Sequence, residues 1–158
     1  NHDESAWDAT PVSLFNGTDG ALAASVVTIF TGGAPLIYGS QEVGTANNVP
    51  FFSNSTIDWG NNPGMLSSYQ KMLQFYSGSQ VARTGHNTIF PHDDIACFKK
   101  TLNNEEIVVI ANLRNETINY PLPSDLENTT WTDVMNNVDI TLNGQISLDD
   151  YQFYILTQ

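Results

Sequence analysis

Apolar residues recur at helical spacing in the first half of the chain and at strand spacing in the second. Leu22, Val26, Ile29 and Phe30 share one face of residues 21–30, the recurrence expected of an amphipathic helix. Thr18 or Asp19 is placed to cap its start, and Gly32-Gly33 to stop it. Residues 34–38 follow as a short continuous apolar run, the pattern of a strand buried on both faces of a parallel sheet. Residues 45–62 are rich in Asn, Ser and Gly and predict a long loop; loops of that length are often functional. Asn62 caps a second helix with Pro63 at its first position. Met65, Leu66, Tyr69, Met72, Leu73 and Tyr76 form its apolar stripe, and Gly78 ends it. Helix, buried strand, long loop and helix make one and a half units of a (β/α) architecture.

The pattern changes near residue 80. Ile95–Leu102 and residues 106–113 predict strands joined across Asn103-Asn104. Residues 117–122 alternate, with Pro121 and Pro123 marking a sheet edge. Residues 140–142 and Gln145–Leu148 flank Asn143-Gly144, a strong short hairpin signal. Residues 151–156 form a closing aromatic-rich strand. Six or so short strands so close together indicate an antiparallel β-sandwich. The chain therefore divides into an α/β part, residues 1–80, and an all-β part, residues 81–158.

With 158 residues the chain is long enough for a core, burying roughly 68–70% of its unfolded surface. Its longest apolar segment, residues 21–30, is interrupted by Ser25 and Thr28, far short of the ~20 residues of a membrane span. Asn1 opens no basic and apolar leader pattern, so no targeting peptide is visible. The net charge of −12 repels phosphate backbones and anionic lipid, which argues against nucleic acid and membrane as partners. A neutral sugar polymer is not repelled. The lone Cys97 allows no internal disulfide, and its setting among Ile95, Ala96 and Phe98 reads as that of a buried small hydrophobe. Sequons at Asn16, Asn54, Asn115 and Asn128 fit a secreted, periplasmic or cell-surface chain, though an Asn-rich sequence also produces them by chance.

Asn1-His2-Asp3-Glu4 sets an imidazole beside two carboxylates, a grouping able to hold a metal, a sugar or a proton; a solvated loop is the competing reading. The cluster is followed by a helix and then by Gly33-Ala34-Pro35-Leu36-Ile37-Tyr38-Gly39-Ser40-Gln41-Glu42-Val43-Gly44. This order resembles the alpha-amylase family of glycoside hydrolases. There an Asn-His-Asp motif ends the seventh barrel strand, and a Gly-x-Pro-Leu-Ile-Tyr…Gln-Glu-x-Gly segment forms the eighth strand and its loop. The resemblance runs on through Ile57-Asp58-Trp59 and the second helix, and the β-part matches by position and strand pattern. Gly39-Ser40 departs from the family's usual Tyr-Gly or Ser-Gly. The kinship, so read, requires helix, buried strand and helix in that order between Gly20 and Gly78.

The resemblance implies the last part of a (β/α)8 TIM barrel followed by a small antiparallel β-sandwich. Asp3 then corresponds to the family's third carboxylate, which hydrogen-bonds the 2- and 3-hydroxyls of the reacting ring as an oxocarbenium-like transition state develops. His2 corresponds to a donor to the same ring, and both would sit at a strand's carboxyl end. Glu4 reads as an exposed loop acid and Glu42 as a structural one. The nucleophile and general acid, and the usual calcium ligands, belong to earlier barrel strands. This segment is therefore expected to carry no metal or cofactor and to be inactive alone, as one piece of a longer protein. The implied substrate is an α-glucan or malto-oligosaccharide cleaved with retention. Rival readings are a carbohydrate-binding or interaction module acting through the β-domain, and a transglycosylase or disaccharide isomerase.

Other candidates carry two readings each. His86 and His92-Asp93-Asp94 suggest a metal site or solvated turns. Trp7 and Trp59 suggest sugar stacking or packing. Trp131, Tyr151, Phe153 and Tyr154 suggest a glycan platform or, from their period-2 placement, sheet packing. No Gly-x-Ser-x-Gly, P-loop or dinucleotide fingerprint occurs. A strand at residues 34–38 without neighbours would expose an edge, which predicts self-association through barrel elements or altered packing.

Overall fold

A computed structural model describes all residues, 1–158. Helices come first: α1 His2–Trp7, α2 Pro11–Leu14 and α3 Thr18–Phe30, then a 3-10 turn at Gln41–Val43, then α4 Pro63–Gly78 and α5 Gln80–Thr84. Eight strands follow: β1 His86–Phe90, β2 Ile95–Leu102, β3 Glu105–Asn112, β4 Ile118–Pro121, β5 Thr129–Asp133, β6 Val138–Leu142, β7 Gln145–Leu148 and β8 Phe153–Thr157.

Six strands form an antiparallel sheet in the order β1-β2-β3-β8-β5-β6, and β4 and β7 form a separate pair. The sheet is buried on both faces. Phe98, Ile107, Val109, Ala111 and Ile155 point to one side and join Val26, Ile29, Phe30, Tyr69 and Met72 of the helices in one core. Cys97, Val108, Ile110 and Leu156 point to the other and join Tyr120, Leu122, Trp131 and Leu148 beneath the two-stranded sheet. Strand alternation of period two produces this division, and β3 is apolar on consecutive positions because neither face meets water. Residues of 1–80 and of 81–158 thus share the first core.

Local chemistry explains the helix bounds. Asn62 Oδ1 accepts from the Met65 amide at 2.9 Å, with Pro63 opening α4, as the sequence predicts. Helix α3 differs: Thr18 and Asp19 lie inside it, and Gly17, at φ 109°, takes the cap position without a side-chain bond. Gly32 and Gly33 follow α3 at positive φ, 146° and 82°, a conformation that continues no right-handed helix.

Several expectations are corrected. Residues 34–38 form no strand, and Ala34 and Leu36 are exposed. A buried parallel strand needs ladder partners on both sides, and the chain supplies none. The unpaired edge expected to drive self-association is therefore absent. Asn143-Gly144 makes no hairpin: β6 pairs with β5, while β7 pairs with β4. A type I′ hairpin turn needs positive φ at both central residues, and only Gly144, at 62°, has it. The chain instead crosses from one sheet to the other there. Two strands went unpredicted, β1 and β5, and the remaining strands lie within two residues of their expected bounds or match them.

Candidate functional site

The motif residues occupy the first turn of α1. Asn1 Oδ1 accepts from the Asp3 amide at 2.9 Å and caps this six-residue helix. Nε2 of His2 stands 3.3 Å from Oδ1 of Asp3, with both side chains more than half exposed. The pair was expected at the carboxyl end of a strand; it stands at a helix start, where Asn1 is a good cap. Glu4 is exposed, 3.8 Å from the terminal amine.

A helix of this length does not hold itself in water. The loop predicted at 45–62 holds it. The Val49 amide donates to Ser5 O at 3.0 Å, and Asn48 Nδ2 to Ala6 O at 3.4 Å and Asp8 O at 3.2 Å. Thr10 and Ser13 hydroxyls both donate to Ala46 O, at 3.2 and 3.0 Å. The same loop brings up Phe51, whose ring centroid lies 5.1 Å from that of His2 and 5.6 Å from that of Trp7. Tyr38 lies on another side of His2 at 6.2 Å. Trp7 and Phe52 remain 64% and 90% exposed, forming an aromatic ledge next to the His2–Asp3 pair. Trp59 is also exposed, and a Cβ on Gly39 would lie 3.8 Å from its ring.

The Gly39–Gly44 turn is fixed from beneath. Ser40 and Gly44 take left-handed φ of 80° and 65°. Gln41 Nε2 donates to Tyr69 Oη at 2.8 Å, within a network that continues to Ser25. Burial raises the Tyr69 pKa above its ordinary value. One carboxylate oxygen of Glu42, Oε2, is buried with no hydrogen-bond partner. Clefts of about 270, 420 and 600 Å³ are lined by other residues and not by His2 or Asp3, so the pair faces open surface.

The remaining candidates resolve into structure. Trp131 is 2% exposed and its indole donates to Thr129 Oγ1 at 2.7 Å, so it packs and offers no sugar platform. His92 Nδ1 accepts from the amides of Asp94 and Ile95 at 3.1 and 3.2 Å, and its ring meets Tyr120 edge-on. Arg114 donates to Asp94 Oδ1 at 2.7 Å and to Asp93 O at 3.0 Å. His92-Asp93-Asp94 is therefore a hydrogen-bonded turn, and His86 begins β1. No three His, Cys, Asp or Glu side chains gather as a metal site. Sequence reading missed Phe51 and Phe52; the available signal was two adjacent aromatics inside an otherwise polar loop.

With this geometry in place, likeness to known proteins is informative. The family described as maltogenic amylase, C-terminal domain, matches residues 88–155. A maltogenic alpha-amylase of Bacillus acidopullulyticus is 28% identical over 78% of this chain, which spans 23% of that relative's length. Among solved structures, maltogenic amylase from S. marinus superposes with a TM-score of 0.75 at 19% identity, covering 94% of this chain and 21% of that one. A MutB mutant in complex with glucose gives 0.72 at 13% identity, covering 99% and 41%.

The fold is thus an antiparallel β-domain of the kind that amylases carry at their carboxy-terminal side, backed by helices. Residues 88–155 match the C-terminal domain of maltogenic amylases, and the chain as a whole is similar to the carboxy-terminal portion of alpha-amylase-family proteins. The helix–strand–helix condition set by sequence is not met, but these matches carry the kinship without it.

Proposed function

We propose that this chain is part of a retaining glycoside hydrolase acting on α-glucosidic bonds of starch-like or malto-oligosaccharide substrates. The observation that carries the reading is the exposed His2–Asp3 pair, 3.3 Å apart and bordered by an aromatic ledge. Asp3 accepts from the 2- and 3-hydroxyls of the reacting ring, and His2 donates to the same ring. These bonds strengthen as positive charge develops at the anomeric carbon. Trp7 and Phe52 present flat apolar faces of the kind on which sugars stack. Residues 1–80 are the end of a (β/α)8 barrel in this reading, and 81–158 its β-sandwich domain; fold likeness over 94% of the chain supports both.

Retaining hydrolysis needs a nucleophile and an acid about 5–5.5 Å apart, which Asp3 alone does not provide. The 158-residue chain should show no turnover of any α-glucan, and measurable release of reducing sugar by it would contradict the reading. In the complete protein, Asp3→Asn should lower kcat by on the order of 10² with little change in KM, since the lost bonds belong to the transition state. Retention of full activity would remove Asp3 from its role.

A second reading, transfer or isomerisation of a disaccharide, draws on the likeness to MutB, a trehalulose synthase. Product analysis of the complete protein on sucrose and maltotriose separates the two. A location outside the cytoplasm belongs to the same proposal, and cell fractionation tests it.

A further inference from the structure

We propose that Phe51 is a positioning residue for the candidate sugar-binding pair, setting the orientation of His2 and, through α1, of Asp3. The inference rests on the reading of His2 and Asp3 given above. Its first test is independent of that reading.

His2 and Trp7 lie five positions apart on α1, so about 100° per residue sets them roughly 140° apart around the axis. One ring touches both: Phe51 meets His2 at 5.1 Å and Trp7 edge-on at 5.6 Å and 84°. A contact that bridges two directions on a helix of six residues restrains its rotation about its own axis. The Val49 amide and the Asn48 side chain fix where α1 sits along the loop, but they leave the imidazole free to swing. The one polar side-chain contact of His2 is Asp3 Oδ1 at 3.3 Å, and both groups are exposed to competing water. Phe51 is 37% exposed, and its ring neighbours are His2, Trp7 and Phe52, at centroid distances of 5.1, 5.6 and 5.9 Å. A small aliphatic residue at 51 fills the loop but cannot reach both partners.

The test is NMR of the 158-residue chain, reading the His2 and Trp7 ring protons in the parent, Phe51→Leu, Phe51→Tyr and Phe52→Leu chains. The Trp131 indole proton reports whether the fold is intact. The expected result is that Phe51→Leu removes the pattern of cross-relaxation between the His2 ring and Asp3 and Tyr38, neither of which involves residue 51, while Trp131 stays in place. Phe51→Tyr should retain it, and Phe52→Leu should leave His2 unmoved. An unchanged His2 in Phe51→Leu, or an equal change in Phe52→Leu, overturns the proposal.

In the complete protein, Phe51→Leu should lower kcat about tenfold with KM within about twofold, as misplacement of a catalytic group does, and Phe51→Tyr should restore it. A KM effect alone, or no rescue, also overturns positioning. If Phe51→Leu moves His2 in the chain while Asp3→Asn leaves turnover intact, the functional reading fails and the positioning geometry stands.

Discussion

Ser25 on α3 and Tyr69 on α4 meet through their hydroxyls at 2.5 Å, in a part of the core that no water reaches. Ser25 donates to Ala21 O at 2.7 Å, and Gln41 Nε2 donates to Tyr69 at 2.8 Å. The proton order is therefore set: Gln41 to Tyr69, Tyr69 to Ser25, Ser25 to the α3 backbone. This relay ties the Gly39–Gly44 turn to both helices, so the turn's shape depends on a tyrosine distant in sequence.

Tyr69→Phe should therefore cost about 1–2 kcal/mol, since it strips Gln41 of its acceptor while Ser25 keeps its bond to Ala21. Urea unfolding measures the loss. The Ser25→Ala, Tyr69→Phe double-mutant cycle should give a coupling of about 1 kcal/mol; additivity would show that the contact contributes nothing.

Two helical glycines should respond in opposite directions. A Cβ on Gly20 would lie 1.7 Å from Phe15 O and 2.9 Å from Phe15 C, so Gly20→Ala must force α2 away from α3 and should cost about 3 kcal/mol or more. A Cβ on Gly78 meets nothing within 4 Å. Gly78→Ala should stabilise by about 0.5–1 kcal/mol through helix propensity and a less flexible unfolded chain. Thermal melts of the two variants check both signs.

Alkaline pH should weaken the fold. Burial pushes the Cys97 thiol up from 9.0 to about 11, and burial also raises Tyr69, Tyr120 and Tyr154. In each case the native state holds its proton more tightly than the unfolded chain. The stability is therefore complete below the unfolded pKa and is lost as pH rises through the folded one. Lys100, lowered by burial, acts in the opposite sense and gains stability as pH rises towards its unfolded value. Comparing the parent with Cys97→Ala cancels the Lys100, Tyr69 and Tyr154 contributions and leaves those of Cys97 and of Tyr120, whose pKa Cys97 also raises. The parent should lose roughly 2 kcal/mol more than the variant between pH 9 and 11; parallel pH profiles by urea unfolding would contradict the burial argument.

Asn112 is fully buried, and its Nδ2 donates to Glu116 O at 2.7 Å and Asp149 O at 2.8 Å while Oδ1 accepts from the Arg114 amide at 2.9 Å. Asn112→Ala leaves those carbonyls unsatisfied and should cost about 2 kcal/mol. Asn112→Asp should cost more, because it turns a carboxylate oxygen towards the same carbonyls. Denaturant midpoints rank the two, and the reverse order would show that water replaces the amide.

Much of the fold was legible where a single segment carries its own instructions. Asn62-Pro63 announces α4 by cap and fixed φ, and β2 and β7 match their sequence bounds because alternation and flanking turn residues are local. The His2–Asp3 pair was legible as a grouping of an imidazole with a carboxylate. Its aromatic surround was not, since Phe51 reaches His2 only after the loop folds back across α1. The rule that a continuous apolar run marks a strand buried on both faces was sound, but it was applied to residues 34–38 and belongs to Ile107–Ala111 in β3.

By itself, the sequence determined the two long helices and six of the strands to within a few residues, the acidic surface, and the adjacency of an imidazole and carboxylates in the first residues. The tertiary structure alone decided which strands pair, that Asn143-Gly144 crosses between sheets, that residues 34–38 stay unpaired, and that Trp131 faces the core. The physical reason is that helix bonds and caps close within a few residues. A strand's hydrogen bonds, and the burial of a side chain, are completed by partners far along the chain, or not at all when those partners are absent.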